Sequence, residues 1–330
     1  MTEKTILVTG GAGFIGTNLA HSLLRDGYHV TIFDMLSRPG SEYNLAWLRK
    51  QHPNGQLCFV QGDVRDFETV KAAARDAGVI YHLAGQVAVT SSVNDPRVDF
   101  EINALGTLNV LEAARASAHS PMIVCTSTNK VYGAMESAAV MERDTRYEYR
   151  DLPYGIPESQ PLDFHSPYGC SKGAMDQYAR DYARIYKLRT VVFRMSCIYG
   201  PRQFGSEDQG WLAHFMIAAL TGRQIRIYGN GKQVRDVLFV DDLVRALRLA
   251  VVRIDATAGE VFNIGGGLSN TISVWMEFGK LLEELKGEEI PVSFDQWRPG
   301  DQPCYVSDIR KAACHMGWEP QIDKIGRAHV

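Results

Sequence analysis

The 330-residue sequence predicts an α/β fold: a doubly wound parallel sheet followed by a smaller C-terminal α/β lobe. Three observations carry that expectation. Short apolar runs are continuous rather than alternating, as in strands covered on both faces. Between them lie segments with apolar residues spaced at about 3.6, the helical period. The regular strand–helix rhythm then changes after about Tyr199.

In chain order, residues 6–8, 30–33, 57–60, 79–83, 122–125 and 190–193 read as buried strands. Residues 14–25, 68–77, 98–116 and 168–186 read as the helices between them. Such repetition implies right-handed crossovers and an open sheet. Residues 134–166 form the longest irregular stretch, with prolines at 153, 157 and 161. Loops that long inside a compact protein usually carry function. Later come a helix near 211–220, a strand-like run from Ile225 and Asn230-Gly231, a hairpin-type turn signal. Helices near 243–252 and 274–285 flank a short strand at 261–264. The expected organisation is a main domain over 1–199 and a smaller lobe over 200–323, some of whose segments return to the large sheet. Residues 324–330 read as a non-native tail that should pack loosely.

Composition narrows the function. Apolar residues make up 45 % and charged residues 22 %, with 35 Lys+Arg against 38 Asp+Glu and a net charge of −3. A nucleic-acid binder that neutralises phosphates would show a basic excess. No apolar run approaches the ~20 residues that span a bilayer, so no membrane partner is expected. The start of the chain, MTEKTILVTGG, has no signal-peptide pattern. Six scattered cysteines (58, 125, 170, 197, 304, 314) include no Cys-x-x-Cys pair. Neither a disulfide framework nor a metal site is expected, and a cytoplasmic location is the default.

Gly10-Gly-Ala-Gly-Phe-Ile-Gly16 follows the first strand and opens the first helix. Gly10, Gly13 and Gly16 allow a sharp turn, close approach to a pyrophosphate and tight helix–strand packing, with Phe14 and Ile15 between them. Asp34, at the end of the second strand, would accept both adenosine-ribose hydroxyls, which favours NAD over NADP. Arg38 nearby is the residue type that serves a 2′-phosphate, which argues in the other direction. Asp63, in Gly62-Asp63-Val64, either meets an adenine amino group or caps the following helix, where Asp66 is the better cap.

Tyr168 and Lys172 lie four residues apart and so on one helical face. A cation beside a phenol favours the phenolate and would lower its pKa from ~10 toward neutrality. Such a tyrosine could act as a base on a sugar hydroxyl.

These motifs, with HLAGQVAV at 82–89, EINALGTLNVLEAAR at 101–115, STNKVYG at 127–133 and SPYGCSKGAMDQY at 166–178, resemble those of the extended short-chain dehydrogenase/reductases. Within them the chain is similar to the nucleotide-sugar epimerase/dehydratase family, over nearly its whole length. YGPRQ at 199–203, GNGKQVRDVLFVDDL at 229–243, FNIGGG at 262–267 and RPGDQ at 298–302 extend the match. The resemblance implies a Rossmann domain holding NAD and a C-terminal lobe binding substrate. It makes Thr128 the hydroxyl member of a catalytic triad, Tyr168 the acid/base and Lys172 a further contact to the nicotinamide ribose. Asn103 would support the helix and the site. Val64, Leu83, Ala84 and Gly85 would join the cofactor contacts. Gln86, Thr128, Asn129, Ser196, Arg202, Arg235 and Arg298 would contact the substrate, the arginines its diphosphate and nucleoside.

The family's 4,6-dehydratases carry Asp-Glu directly after the triad hydroxyl, to eliminate water. Here those positions are Asn129 and Lys130, so an NAD-dependent isomerase is expected instead. The pattern is most similar to members acting at carbon 2 of a CDP-linked dideoxyhexose. A UDP-hexose or UDP-hexuronate 4-epimerase is the alternative, although Ser196 stands where such enzymes commonly have Asn. A non-catalytic NAD-binding regulator would show a broken triad, and this triad is intact. His165 is expected to pack or hydrogen-bond its loop, His82 to be a satisfied core residue, and Cys125, Cys170 and Cys197 to be packing residues. A homodimer through the helices near 98–116 and 168–186 is implied by the resemblance.

Overall fold

A computed structural model describes residues 5–298 and 301–324. The first part alternates strictly: β1 (Thr5–Thr9), α1 (Phe14–Arg25), β2 (Val30–Asp34), α2 (Ser41–Gln51), β3 (Leu57–Gln61), α3 (Phe67–Ala74) and β4 (Ala77–His82). Helix α2 has no counterpart among the expected elements. It buries only Ser41, Asn44, Leu45 and Leu48, so its apolar stripe is too thin to stand out in sequence. The expected helix at 68–77 ends earlier, at Ala74, because Ala77 already pairs with Thr5 in the sheet.

Next come α4 (Val89–Asn94), α5 (Pro96–Phe100), a π-helical turn at Glu101–Leu105 and α6 (Gly106–Ala116). The single helix expected over 98–116 is thus interrupted by one wide turn, a feature that often re-aims side chains at functional sites. Strand β5 (Met122–Thr128) runs into a 3₁₀ turn, Asn129–Tyr132. The irregular stretch beyond it contains a small antiparallel pair, β6 (Val140–Glu142) with β7 (Tyr147–Tyr149). Helix α7 (Ser166–Tyr186) then leads into β8 (Thr190–Met195) and β9 (Cys197–Tyr199).

The remaining elements are α8 (Trp211–Leu220), β10 (Ile225–Tyr228), β11 (Val234–Phe239), α9 (Val240–Val252), α10 (Ile254–Thr257), β12 (Val261–Ile264), β13 (Thr271–Ser273), α11 (Phe278–Lys286), β14 (Val292–Asp295), β15 (Cys304–Tyr305) and α12 (Arg310–Met316). Asn230-Gly231 does turn the chain, but β10 and β11 do not form the expected hairpin. β10 pairs in parallel with β14, whereas β11 pairs with β13, β15 and β9. Left-handed Gly229 and Gly231 bend the backbone without choosing its partner. The helix expected over 274–285 starts only at Phe278, because Trp275 and Met276 donate their N–H groups to the Gly231 carbonyl instead.

The large sheet has seven parallel strands in the order β12-β8-β5-β4-β1-β2-β3. Strand order reverses between β1 and β4, where a crevice opens at the strands' carboxyl ends. Successive residues of β1 serve opposite faces, as the two-residue period dictates. Ile6 and Val8 pack with α1 residues Leu19 and Leu23 and with α9 residue Leu243, whereas Leu7 packs with α6 residues Val110 and Leu111. Each fully buried Leu or Ile contributes roughly 1.5–3 kcal/mol, so the two slabs hold the crevice walls rigid.

A buried ion pair locks α7 to the sheet. Asp176 accepts from Arg194 at 2.7 and 3.0 Å, and Arg194 also donates to the Tyr132 hydroxyl at 3.1 Å. Near the end of the described chain, the Trp318 indole donates to the Asp242 carbonyl at 2.9 Å. Of the tail expected at 324–330, residues 325–330 lie outside the described residues; the Lys324 amine donates to the Thr271 carbonyl at 3.3 Å. Among the described residues no helix is long and apolar enough to cross a membrane.

Candidate active site

The crevice at the strand reversal has a volume of about 370 Å³. One wall is the glycine turn, contributing Gly10, Gly13, Phe14, Ile15 and Gly16. Glycine is required here sterically: a Cβ on Gly16 would stand 2.3 Å from the Gly10 carbonyl oxygen, and one on Gly10 2.7 Å from the Ala84 nitrogen. The second wall comes from the end of β2 and the β3–α3 turn, with Asp34, Asp63 and Val64. Leu83, Ala84, Gly85 and Gln86, after β4, form the floor.

Asp34 is held by its neighbours. One carboxylate oxygen accepts from Ala12 N at 3.0 Å and the other from Leu36 N at 2.8 Å. Leu36 reaches that position with φ of 58°, left-handed backbone that a bulky residue rarely adopts. Ser166, two residues before Tyr168, and Arg202 also have left-handed φ, so strained backbone gathers around the site. Asp63 lines the crevice and is paired with Arg65 at 2.5 Å, which lowers its pKa. It does not cap α3; Asp66 does, accepting from Glu68 N and Thr69 N.

Gly85 joins the crevice to the triad. A Cβ there would lie 3.0 Å from Asn103 Oδ1 and 3.1 Å from Lys172 Nζ. Asn103 sits in the π-helical turn, where its Oδ1 accepts from Gln86 N at 3.0 Å. Its Nδ2 donates to Ser171 Oγ at 3.0 Å and to Asp99 at 3.2 Å. Asp99 is buried, and its role had no signal in the sequence beyond its place four residues before Asn103.

Thr128, Tyr168 and Lys172 are all buried. The Lys172 amine donates to the Thr126 carbonyl at 2.9 Å, and burial lowers its pKa to about 8. The expected depression of the tyrosine does not occur in this state. Burial pushes Tyr168 up to about 12, against a smaller opposing effect of its hydrogen bond with Thr128. Desolvation of a phenol in a closed site outweighs a lysine whose amine is directed to a carbonyl.

Four of the expected substrate residues have partners within the chain. Gln86 folds back, its amide donating to the Ala88 carbonyl at 2.7 Å and its oxygen accepting from Ala88 N. Ser196 donates to the Asp236 carbonyl at 3.0 Å and is also bonded to its carboxylate. Arg202 lies in the glycine crevice, stacked 3.9 Å over Trp47 and donating to Asn18 at 2.8 Å. Arg298 stacks 4.0 Å over Tyr228 and pairs with Glu207 at 3.8 Å. Asn129 is buried beside Thr128, whose hydroxyl donates to it at 3.3 Å. Arg235 is buried and donates to Asp301 at 2.7 Å.

Sequence reasoning missed Phe204 and Gln209, which also line the crevice, the latter bonded to Arg38. The resemblance reached that loop through YGPRQ at 199–203 and RQFGSEDQGW at 202–211, but singled out only Arg202, for the diphosphate. His82 is satisfied on both ring nitrogens, by Thr9 at 2.8 Å and Thr107 at 3.0 Å. His165 is exposed, which leaves hydrogen bonding rather than packing of the two roles expected of it, and Cys170 is exposed rather than a packing residue. Among the described residues no cluster of three His, Cys, Asp or Glu could hold a metal.

A crevice at the strand-order reversal, with a Tyr-x-x-x-Lys helix beside it, defines an extended short-chain dehydrogenase/reductase. The GDP-mannose 4,6 dehydratase family model matches residues 7–324, and the chain belongs to that family. It is 44 % identical to the CDP-paratose 2-epimerase of Salmonella typhi, over 96 % of this chain and 95 % of that one. A UDP-glucose 4-epimerase from Thermotoga maritima, solved with UDP-glucose, superimposes with a TM-score of 0.82 at 32 % identity. That match covers 97 % of this chain and 94 % of the other. A double mutant of the dTDP-glucose 4,6-dehydratase from Streptomyces venezuelae, solved with NAD, gives 0.83 at 31 % identity, covering 98 % and 94 %.

Proposed function

We propose that this protein is an NAD-dependent nucleotide-sugar epimerase that inverts carbon 2 of a CDP-linked dideoxyhexose, interconverting CDP-paratose and CDP-tyvelose. The observation that carries the reading is the turn after the triad hydroxyl. Elimination of water needs a carboxylic acid and a carboxylate, and Asn129 and Lys130 supply neither. Epimerisation needs only the triad, and the 44 % identity to a CDP-paratose 2-epimerase favours carbon 2.

The crevice residues suit a dinucleotide. Gly10, Gly13 and Gly16 bring backbone N–H groups and the α1 N-terminus to a pyrophosphate, and Asp34 offers its remaining lone pairs to ribose hydroxyls. When bound, NAD would supply a hydride acceptor and a positive charge. Tyr168 Oη takes the proton of the carbon 2 hydroxyl and gives it back. Thr128 orients that hydroxyl, Lys172 behind Gly85 would hold the nicotinamide ribose, and the positive charge of bound NAD would favour the phenolate. Asn103, through Ser171 and Gln86 N, keeps α7 and the floor in register. Two of the exposed apolar side chains on α7, Tyr178 and Ile185, together with Phe100, would form a homodimer face.

Incubation with CDP-paratose followed by NMR of the sugar ring tests the reading. Inversion at carbon 2 is the expected result. Its absence, with inversion of UDP-glucose or UDP-glucuronate at carbon 4 instead, would establish the second reading, which the fold match to a UDP-glucose 4-epimerase favours.

A further inference from the structure

We propose that Lys130 binds the phosphate attached to carbon 1 of the substrate and thereby fixes carbon 2, not carbon 4, against the triad. The proposal rests on the carbon 2 reading above.

Its first support is a shared carboxylate. Lys130 Nζ lies 3.6 Å from Asp301 Oδ1, and the same oxygen accepts from Arg235 Nη2 at 2.7 Å. Arg235 directs Nη1 to the Val234 carbonyl at 2.8 Å. One carboxylate oxygen therefore serves two cations. Cys197, Cys304 and Tyr149 also act on Arg235, and burial pushes all three up, so they stay neutral near pH 7, while the neighbouring Asp236 is buried, raised by that burial and bonded to Ser196. Asp301 and Cys197 also act on Lys130, whose pKa burial lowers against the attraction of Asp301. The cluster sets two basic side chains on one Asp301 oxygen, with the Arg235 side chain 9 % exposed and that of Lys130 27 %. An anionic ligand at the part-exposed Lys130 ammonium would favour its charged form and add a charge-assisted hydrogen bond.

The second support is position. Lys130 follows Thr128 by two residues, and its own N–H donates to Thr128 Oγ1 at 3.2 Å. Its carbonyl oxygen is 3.4 Å from where a Cβ on Gly169 would stand, next to Tyr168. The Asp301 segment is fastened to the same turn by Gln302, whose amide donates to the Gly133 carbonyl. The Lys130 backbone is thus fixed against the triad, while its ammonium lies toward Asp301 on a segment fastened to the same turn.

Substrate chemistry supplies the last step. In a nucleotide sugar the diphosphate is carried on carbon 1. When carbon 2 faces Tyr168, that phosphate is attached to the adjacent ring carbon. When carbon 4 faces it, the ring's width intervenes. A lysine carried two residues after the triad hydroxyl matches the first arrangement.

The test compares Lys130→Met and Lys130→Arg with wild type by titration calorimetry of CDP and CMP, which differ in the distal phosphate. Circular dichroism and bound-NAD content verify folding, with Lys130→Gln as a replacement if Lys130→Met is unstable. Lys130→Met should weaken CDP at least tenfold and leave CMP within twofold, and Lys130→Arg should recover most of the loss. KM for CDP-paratose should rise more than kcat falls. Equal weakening of CDP and CMP, or no change in either, would overturn the contact. Wild-type inversion at carbon 4 would instead overturn the carbon 2 reading, while the CDP–CMP difference would still report the contact by itself.

Discussion

The two ends of the site are built differently. The glycine crevice is made mostly of backbone, its shape set by positions where a Cβ would meet Gly10 O or Ala84 N. The other end is made of charged side chains from distant segments, with Lys130, Arg235 and Asp301 meeting on one oxygen. A backbone-built site changes little among proteins that share a fold, whereas a side-chain-built one can be rewritten by a few substitutions. The relatives this chain matches include both epimerases and dehydratases.

The largest expected effect falls where the two ends meet. Tyr168→Phe should reduce turnover by about 10³-fold, within the range for loss of a general acid/base, while bound NAD is retained. Stopped assays by NMR together with the 260/280 nm absorbance ratio would check both halves. A variant that keeps full turnover would remove the triad from the mechanism.

Next comes the clamp that carries α7. Asp176→Ala leaves Arg194 buried without its partner, which should cost about 3–5 kcal/mol in urea unfolding. An Asp176→Leu/Arg194→Met double variant should regain much of that. If the single variant unfolds at the wild-type midpoint, the pair does not hold the catalytic helix.

Acid should find a third weak point under the crevice floor. His82 is buried between Thr9 and Thr107, and burial, with a smaller effect of Lys172, lowers its pKa to about 3. Its folded pKa is below the unfolded value of ~6.5, so the stability it contributes is present above ~6.5 and lost as pH falls toward 3. Melting temperature should therefore drop between pH 7 and pH 4.5, and less steeply in His82→Gln. Parallel slopes would assign the acid sensitivity to carboxylates alone.

The same contrast explains what could be read from the sequence. The large sheet, the glycine turn, Asp34 and the Tyr168–Lys172 spacing are local patterns, and a local pattern survives in a linear string. Helix α2 was illegible because four buried positions make no clear stripe. The β10 and β11 pairings were illegible because a turn signal records a bend, not a partner. Ser196 on Asp236 and Arg202 on Trp47 join segments 40 and 155 residues apart, counted between the paired positions. Such pairings follow from packing alone. The tyrosine's pKa could be read only in part: spacing locates the lysine's Cα, but not the carbonyl that its ammonium prefers.

The smallest effect concerns cofactor choice at the backbone-built end. Asp34 is fixed by Ala12 N and Leu36 N, so its charge faces the ribose position with no freedom to withdraw. A 2′-phosphate would meet that charge, while Arg38, also in the crevice wall, would attract it. Asp34→Asn keeps the side chain's shape but can no longer accept both N–H groups, so affinity for either dinucleotide will fall. The ratio of NADP to NAD dissociation constants cancels that shared loss and isolates the charge. It should fall about tenfold, equivalent to ~1.4 kcal/mol. Arg38→Ala should move the same ratio the opposite way. An unchanged ratio in Asp34→Asn would mean that the shape of the glycine turn, not the carboxylate's charge, rejects the extra phosphate.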